Sequence, residues 1–454
     1  MKPSILTVEF ERVIDRAKVL SSKRAKPCAL FVEGGAGVGK TTLNKLLHSQ
    51  LASCLQVAPT GVAAVQLGGS TIHRVFNFPD KVLQPSLDRK NSYPSPVLRK
   101  TKAIIVDEAG MVRADMVDGM DHYLRKATRR DMPFGGVLMI FVGDPYQLPP
   151  VIGSNEEEAW QRQDYKSEFF FDANVFEGHP LERHSLTKVF RQSNEAFIGV
   201  LNRLREGKTT DADLTLLNSR SDFAAPAGTI VLSARRDGVD VVNAMAMSSL
   251  PGEELHFEGR MEGAFKPEDT QAEERLTLKP GSMVMLLNNT DEWQNGSIGL
   301  FEEVSGGKLR IRLQSGSIVN VAKDTWEKKR YKLNATQTSI EQEVIGTFKQ
   351  FPVRLAHGIT IHKSQGQTLE RAIVDLGGRA VAPSSAYVAL SRLRSLEGLY
   401  LKRPIRREDC HVSPRVVEFM AQIKHGQAPS VVQVQDDLFS AVEAPLRSTQ
   451  SVRT

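Results

Sequence analysis

The stretch Gly34-Gly-Ala-Gly-Val-Gly-Lys-Thr-Thr42 has the residue types and the spacing to hold a triphosphate. Its frame of Gly34, four residues, Gly39, Lys40 and Thr41 fits a phosphate-binding loop without a gap. Glycine lets the backbone curl so that N–H groups turn inward onto phosphate oxygens. Gly35, Ala36, Gly37, Val38, Gly39 and Thr42 are therefore candidate contacts beside the two key side chains. Lys40 can reach the β- and γ-phosphates, and the Thr41 hydroxyl can hold Mg²⁺. A second group is Asp107-Glu108, which closes the apolar run Ala103-Ile-Ile-Val106. One carboxylate at a strand end can hold the metal ion while its neighbour orients and deprotonates a water. A third is Gly143-Asp-Pro-Tyr-Gln147-Leu-Pro-Pro150, where the Gln147 amide could feel a γ-phosphate and the double proline stiffens the loop.

Each group needs an element behind it. Ala29 to Val32 reads as a strand into the glycine loop, and Thr42 to Leu51 repeats leucine at helical spacing. Leu55 to Ala58, Ala103 to Val106 and Val137 to Val142 read as further short strands separated by helical stretches. That alternation implies a parallel, doubly wound sheet, with ligands at the carboxyl ends of its strands. Residues 77–100, with Pro79, Pro85, Pro94 and Pro96, read as an insertion outside the core. Residues 251–275 read as acidic and irregular, and 300–326 as short β-like runs between glycine turns.

Composition bounds the rest. A chain of 454 residues has room for two or three domains, and its 25% charged and 41% hydrophobic residues are ordinary for a soluble protein. The net charge of +6 leans toward a polyanionic partner. Cys28, Cys54 and Cys410 are isolated, which argues against a disulfide framework or a zinc site. No signal peptide opens the sequence, and no apolar run approaches the ~18 residues of a membrane span. A cytoplasmic protein with no membrane partner is the expectation.

Taken in order, the motifs resemble those of superfamily 1 subclass B DNA helicases, the group containing RecD, Dda and the PIF-type helicases. The matching stretches are GGAGVGKTT at 34–42, APTGVAA at 58–64 with TIH at 71–73, VDEAG at 106–110 and GDPYQLPP at 143–150. They continue with Val189-Phe-Arg-Gln192, HGITIHKSQGQTL at 357–369 and VALSR at 388–392. The resemblance implies an α/β fold of two RecA-like parallel-sheet domains, with a small hairpin or loop insertion and an SH3-like β-barrel insertion. The expected boundaries are 1–185 for the first domain, with 77–100 as a strand-separating pin. The second takes 186–299 and 348–424, the barrel 300–347, and a disordered tail 425–454. ATP and Mg²⁺ are the implied cofactors. Lys40, Glu108, Gln147, Arg191 and Arg392 are the implied catalytic set, and Thr41 with Asp107 the metal site. Arg191 and Arg392 would come from the second domain to stabilise the transferred phosphoryl group, and Gln365 and Gly366 would face the nucleotide. The resemblance assigns Thr60, Gly61, Thr360, His362 and Lys363 to the backbone of a DNA strand, with His73 beside it. Phe76, Phe78 and Tyr93 are candidates for base stacking.

Two positions depart from the family pattern. Leu6 to Arg12 reads LTVEFER, without the glutamine that recognises adenine in relatives, and Gly110 stands where relatives often carry serine. In the tail, Gln435-Asp-Asp-Leu438-Phe439 resembles the bacterial sliding-clamp-binding peptide, which makes a clamp a candidate partner. The expected activity is ATP-dependent 5′→3′ unwinding, with single-stranded and forked duplex DNA as partners. Remodelling of nucleoprotein without strand separation, an RNA track and a non-catalytic scaffold stand as alternatives.

Overall fold

The apolar strand candidates of the first half stack side by side because neither of their faces can meet water. In the computed structural model, residues 7–23, 29–79, 81–83, 95–153, 155–179, 181–378, 381–424 and 431–433 are described. Helix α1 (Val8–Lys23) leads to β1 (Ala29–Gly34), α2 (Lys40–Gln50), β2 (Cys54–Ala58) and α3 (Gly61–Leu67). There follow β3 (Ser70–Thr71), α4 (Ile72–Phe76), α5 (Pro96–Lys100), β4 (Ala103–Val106) and α6 (Ala114–Thr128). Then come β5 (Leu138–Gly143), α7 (Glu157–Gln161) and β6 (Leu181–Leu186). These strands form one parallel sheet in the order β6-β1-β5-β4-β2-β3, so the segments that follow β1, β2, β4 and β5 all leave by one edge. Strands β1, β2, β4 and β5 are buried along their whole length.

The second half opens with α8 (Glu195–Arg205), α9 (Asp211–Asn218), β7 (Ile230–Ser233) and α10 (Arg236–Ser249). An antiparallel block follows: β8 (Leu255–Glu258), β9 (Arg260–Gly263), β10 (Arg275–Leu278), β11 (Met283–Leu286) and β12 (Ile298–Ser305). It continues through β13 (Lys308–Leu313), β14 (Ile318–Val321), β15 (Asp324–Leu333), β16 (Ile340–Gln350) and β17 (Val353–Leu355). The chain ends in β18 (Gly358–Thr360), β19 (Ala372–Asp375), α11 (Ser385–Leu390), β20 (Leu399–Leu401), α12 (Pro414–Lys424) and β21 (Val431–Gln433). Strands β18-β7-β19-β20 make the second parallel sheet.

Several expectations are corrected here. The insertion is larger than 300–347: the stretch 251–275, read as irregular, contains β8 and β9 and runs into β10, and β17 pairs antiparallel with β11 before β18 rejoins the parallel sheet. In place of an isolated barrel stands a five-stranded sheet, β14-β13-β12-β11-β17, beside a long β15–β16 hairpin. That hairpin reaches the first domain, where Gln56 N–H donates to the Tyr331 hydroxyl at 2.9 Å and Leu333 and Ile340 pack on the core. Helix α12, assigned to the second domain, belongs to the first: Phe419 stacks on Phe171 with centroids 3.8 Å apart, and Val416, Met420 and Ile423 join the same cluster. A buried ring of this kind contributes about 2–3 kcal/mol, enough to decide where a short helix docks. Strand β21 of the tail pairs with the sheet edge at β6, so the tail is not wholly irregular. The remainder of the tail, with Gln435, Leu438 and Phe439, and Tyr93 with half of the expected pin, lie outside the described residues.

Candidate active site

Gly37 and Gly39 adopt φ of 80° and 87°, a region costly for any side chain, and between them they turn the loop after β1 back toward α2. The Lys40 ammonium closes that loop by donating to the carbonyls of Gly34 at 2.8 Å and Gly35 at 2.9 Å. Burial pulls its pKa down, against the attraction of Asp144, Glu108 and Asp107. Thr41 is exposed at the start of α2. Asp107 and Glu108 leave β4 together. Burial, and then the neighbouring Glu108, raise the Asp107 carboxyl above the usual carboxylate range. Glu108 has φ of 50°, which turns its side chain away from the strand direction. Asp107, buried beside a second carboxylate, gains from a positive partner, and a divalent cation is one. Mg²⁺ is held by one or two carboxylates together with substrate phosphates rather than by a cage of protein ligands. Asp107 and the Thr41 hydroxyl fit that demand.

The second domain supplies the opposite wall. Gln365 Nε2 donates to Glu108 Oε2 at 3.2 Å and to Gln147 Oε1 at 3.3 Å, joining the two first-domain motifs across the cleft. Gly366, next in the chain, has φ of 80° and lies exposed. Arg392 is buried to 2% exposure; its Nε donates to Val388 O and its NH2 to Ser391 Oγ, both at 2.9 Å. Glu108 and Asp144 attract the Arg392 charge, and the same two carboxylates attract Lys40, so both cations look onto one acidic centre. Arg191 donates to Thr368 Oγ1 at 3.0 Å and to Ser391 O at 2.9 Å. Burial, and then Arg392, push its pKa down to about 9. The expected nucleotide residues are therefore brought together, with Arg191 and Arg392 on one side and Lys40, Glu108 and Gln147 on the other.

Three residues absent from the sequence expectation complete the cleft. Asp144, from the same loop as Gln147, is buried and accepts from Arg205 Nε at 3.0 Å, Gln147 Nε2 at 3.3 Å and the Tyr387 hydroxyl at 3.0 Å. Arg205 comes from α8 and Tyr387 from α11, so both are second-domain groups clamped on a first-domain carboxylate. Tyr387 also accepts from the Ala36 N–H at 3.0 Å, inside the phosphate loop itself. Tyr387 sits one residue before the VALSR motif and could have been flagged, whereas Arg205 in an amphipathic helix carries no signal. Tyr387→Phe leaves the Ala36 amide without its acceptor and Asp144 with one donor fewer. It is expected to lower stability by about 1–3 kcal/mol, a fall of several degrees in thermal unfolding. An unshifted melt would remove the tyrosine from this role.

The aromatic ring of Phe190 is the fourth omission. It is 45% exposed, its N–H donates to Gly37 O at 2.9 Å, and its ring lies over Gly39. From the other side Phe10 of α1 packs on Gly39, the place where LTVEFER lacks a glutamine. The serine missing at 110 also has a geometric reason: a Cβ there would stand 2.8 Å from the Asp144 carbonyl oxygen, so the approach of the 143–150 loop requires glycine.

The expected strand contacts lie on both domains. Thr60 is exposed and caps α3, accepting from Ala63 N at 3.2 Å. Gly61 is approached by Glu268 and Asp269, which leave no room for a Cβ. On the second domain Thr360 Oγ1 accepts from Lys363 N at 3.2 Å, and His362 and Lys363 are exposed. Burial, and then Arg354 and Arg236, lower the Lys363 pKa against the attraction of Glu273 and Asp240, so the lysine sits among charges of both signs. His73 is half-buried, edge-on to Phe78 at 6.3 Å. Phe78 is a correction: at 8% exposure it stacks on Phe76 at 5.4 Å and meets Tyr123 edge-on at 5.5 Å, so it is core and offers no face to a base. Phe76 is core as well.

With this geometry in place, comparison with known proteins is informative. The sequence model of the PIF1-like helicase family matches residues 5–215. The chain is 30% identical to the ATP-dependent DNA helicase Pif1 of Bdellovibrio bacteriovorus, over 87% of this chain and 88% of that one. It is 30% identical to the ATP-dependent DNA helicase PIF1 of Homo sapiens, over 90% of this chain but only 63% of the human protein, so it spans less than two thirds of that relative. Bacteroides sp Pif1 in complex with ADP-AlF4 superposes with a TM-score of 0.84 at 32% identity, covering 93% of this chain and 98% of that one. Bacteroides Pif1 bound to ssDNA gives 0.65 at the same identity and coverage.

Proposed function

The chain belongs to the PIF1-like helicase family, and we propose that it is an ATP-driven DNA helicase that moves 5′→3′ along a single strand and separates a duplex ahead of it. The observation that carries this reading is the cleft itself, in which Gln365 of one domain bonds both Glu108 and Gln147 of the other. A hydrolytic site divided between two lobes is complete only when they close, so each cycle of hydrolysis moves one lobe against the other. Lys40 and the loop amides take the phosphates, and Glu108 accepts the proton of the attacking water. Gln147 and Gln365 register the γ-phosphate, and Arg191 and Arg392 meet the charge that develops on the transferred group. Mg²⁺, when bound at Asp107 and Thr41, neutralises phosphate charge. The exposed Phe190 ring offers a face for the nucleotide base in place of the missing glutamine.

Thr60, Gly61, Thr360, His362 and Lys363, with His73 nearby, form the track. Hydroxyls, amides and a lysine hold phosphates without reading sequence. The better match to unliganded Bacteroides sp Pif1, with a TM-score of 0.83, than to the form bound to ssDNA fits an arrangement in which Glu268 and Asp269 stand over Gly61. Polarity and strand separation are tested on fork substrates with a 5′ or a 3′ overhang. Unwinding is expected with the 5′ overhang alone, and ATP turnover on single strands without unwinding of either substrate would instead identify a remodelling ATPase.

The Gln435-Asp-Asp-Leu438-Phe439 peptide is the second element of the proposal: a Leu-Phe anchor and a glutamine suited to an apolar clamp pocket. A Leu438→Ala, Phe439→Ala double variant is expected to lose capture of a bacterial sliding clamp by at least tenfold, and equal capture by both proteins would discard the motif.

A further inference from the structure

We propose that a cationic belt on the first domain, running from Arg74 over Arg99 to Arg129 and Arg130, seats the phosphate backbone of duplex DNA apart from the single-strand track. Two concavities share Arg99. One of about 360 Å³ is lined by Arg99, Lys102, Arg129 and Arg130 with the hydroxyl-bearing Thr101 and Thr128. The other, of about 750 Å³, lies between α4, α5 and the β15–β16 hairpin and is lined by Arg74 and Arg99. Among the described residues, Arg74, Arg99, Lys102, Arg129 and Arg130 have no side-chain hydrogen bond and no ion pair. Their neighbours differ. Arg113 is held by Asp115, and Arg125 by Asp121 and Asp131, so the acid nearest Arg130 in sequence is already engaged.

A solvated helix end is the ordinary explanation for such cations, because α5 and α6 both finish here and a helix carboxyl end attracts positive charge. It accounts for a cation or two and not for this set. None of these side chains bonds a terminal carbonyl, Lys102 lies beyond α5, and Arg74 sits on a different helix. The Arg99 to Arg130 end of the belt lies at the opposite edge of the sheet from the nucleotide, since Thr101, Lys102 and Val137 precede β4 and β5 while Asp107 and Asp144 follow them; Arg74, after β3, marks the end nearer the track. It is therefore not part of the cleft already described.

The chemistry favours duplex over single strand. A surface for single strands pairs cations with aromatic rings on which bases stack; the smaller concavity has no aromatic lining, and the larger has Tyr331, whose hydroxyl is held by the Gln56 N–H. Unpaired cations suit a polymer that presents phosphates, which is the outside of a double helix, while the Thr101 and Thr128 hydroxyls already donate to Val97 O and Leu124 O. Position favours it too. Arg74 follows His73, the residue expected beside the single strand, and α5 leads out of the 77–100 insertion, where the strands are expected to part. The double-stranded arm of a fork would lie where the belt begins.

This inference rests on the helicase reading, and its test separates the two. The triple variant Arg99→Gln, Lys102→Gln, Arg130→Gln is compared with the wild type for binding to a blunt 20-base-pair duplex and to a single strand, at several salt concentrations. Each lost phosphate contact lowers the slope of log K against log salt by about 0.9 on duplex, so a loss of roughly 2–3 is expected, with about tenfold or more weaker duplex binding near 0.1 M salt. Single-strand affinity and single-strand-stimulated ATP turnover should match the wild type. A duplex slope changed by less than about 0.5, with turnover intact, overturns the belt and leaves the helicase reading standing. A wild type that binds neither polymer overturns both.

Discussion

Lys40→Ala is expected to lower single-strand-stimulated ATP turnover by about a thousandfold or more while single-strand affinity stays within a few-fold of the wild type. The argument begins with the charge balance of the cleft. The Lys40 ammonium is desolvated and draws on three carboxylates, Asp144, Glu108 and Asp107. It is also the group that holds the glycine loop by its Gly34 and Gly35 carbonyls. Removing it strips the cleft of the cation that meets the β- and γ-phosphates and leaves an acidic centre facing a polyanion. Repulsion and lost binding then act together on nucleotide, whereas Thr60, Thr360 and Lys363 of the track are untouched. A parallel Glu108→Gln change keeps shape and removes the proton acceptor, so it is expected to retain nucleotide and lose turnover to a similar extent. Phosphate release on a single-strand cofactor, with anisotropy of a labelled strand, separates the two variants. Lys40→Ala turnover within tenfold of the wild type would end the assignment of this loop as the catalytic one.

Why so much of the cleft was legible, and where legibility stopped, has a physical basis. A phosphate loop is a local object: Gly37, Gly39, Lys40 and Thr41 lie within five residues, and backbone geometry ties their types to their spacing. Asp107, Glu108 and Gln147 were readable because each follows a strand whose apolar run marks its end. Arg191, Arg392 and Gln365 are distant in sequence, and only the ordered set of motifs indicated that they would meet. Groups whose role is to hold another group were not readable. Arg205 works through Asp144 and the hairpin works through Tyr331, and nothing local distinguishes such side chains from a solvated helix face or a strand tip. Phe78 failed for the converse reason: beside a proline-rich insertion it reads as exposed, yet Phe76, Tyr123 and the close face at Gly119 bury it. Helix α12 was misassigned because chain order does not reveal which core a last amphipathic helix will choose.

Arg392→Lys is expected to lower turnover by about a thousandfold with nucleotide affinity changed far less, which would identify Arg392 as a group that acts on the transition state. Arg392 is almost wholly buried, yet its hydrogen bonds go to one carbonyl and one hydroxyl. Arg191, close enough to be pushed down by it, bonds a hydroxyl and a carbonyl of the same segment. Two guanidinium groups that repel each other, Arg392 buried and Arg191 half-buried, are costly to maintain without a shared anion. A phosphoryl group in flight, with charge spread over three oxygens, is the partner such a pair suits, because planar forked donors match it better than a ground-state phosphate. Lysine keeps the charge at 392 but loses the fork, so nucleotide should still bind while the reacting group goes unmatched. The same reasoning predicts that a planar transition-state mimic of phosphate, with ADP and Mg²⁺, raises the thermal midpoint of the wild type by several degrees and that of Arg392→Lys by much less. Single-turnover hydrolysis, nucleotide titration and thermal unfolding check the three parts. If Arg392→Lys turned over within tenfold of the wild type, or if its whole defect lay in nucleotide affinity, the second domain would be a lid on the site and not a contributor to its chemistry.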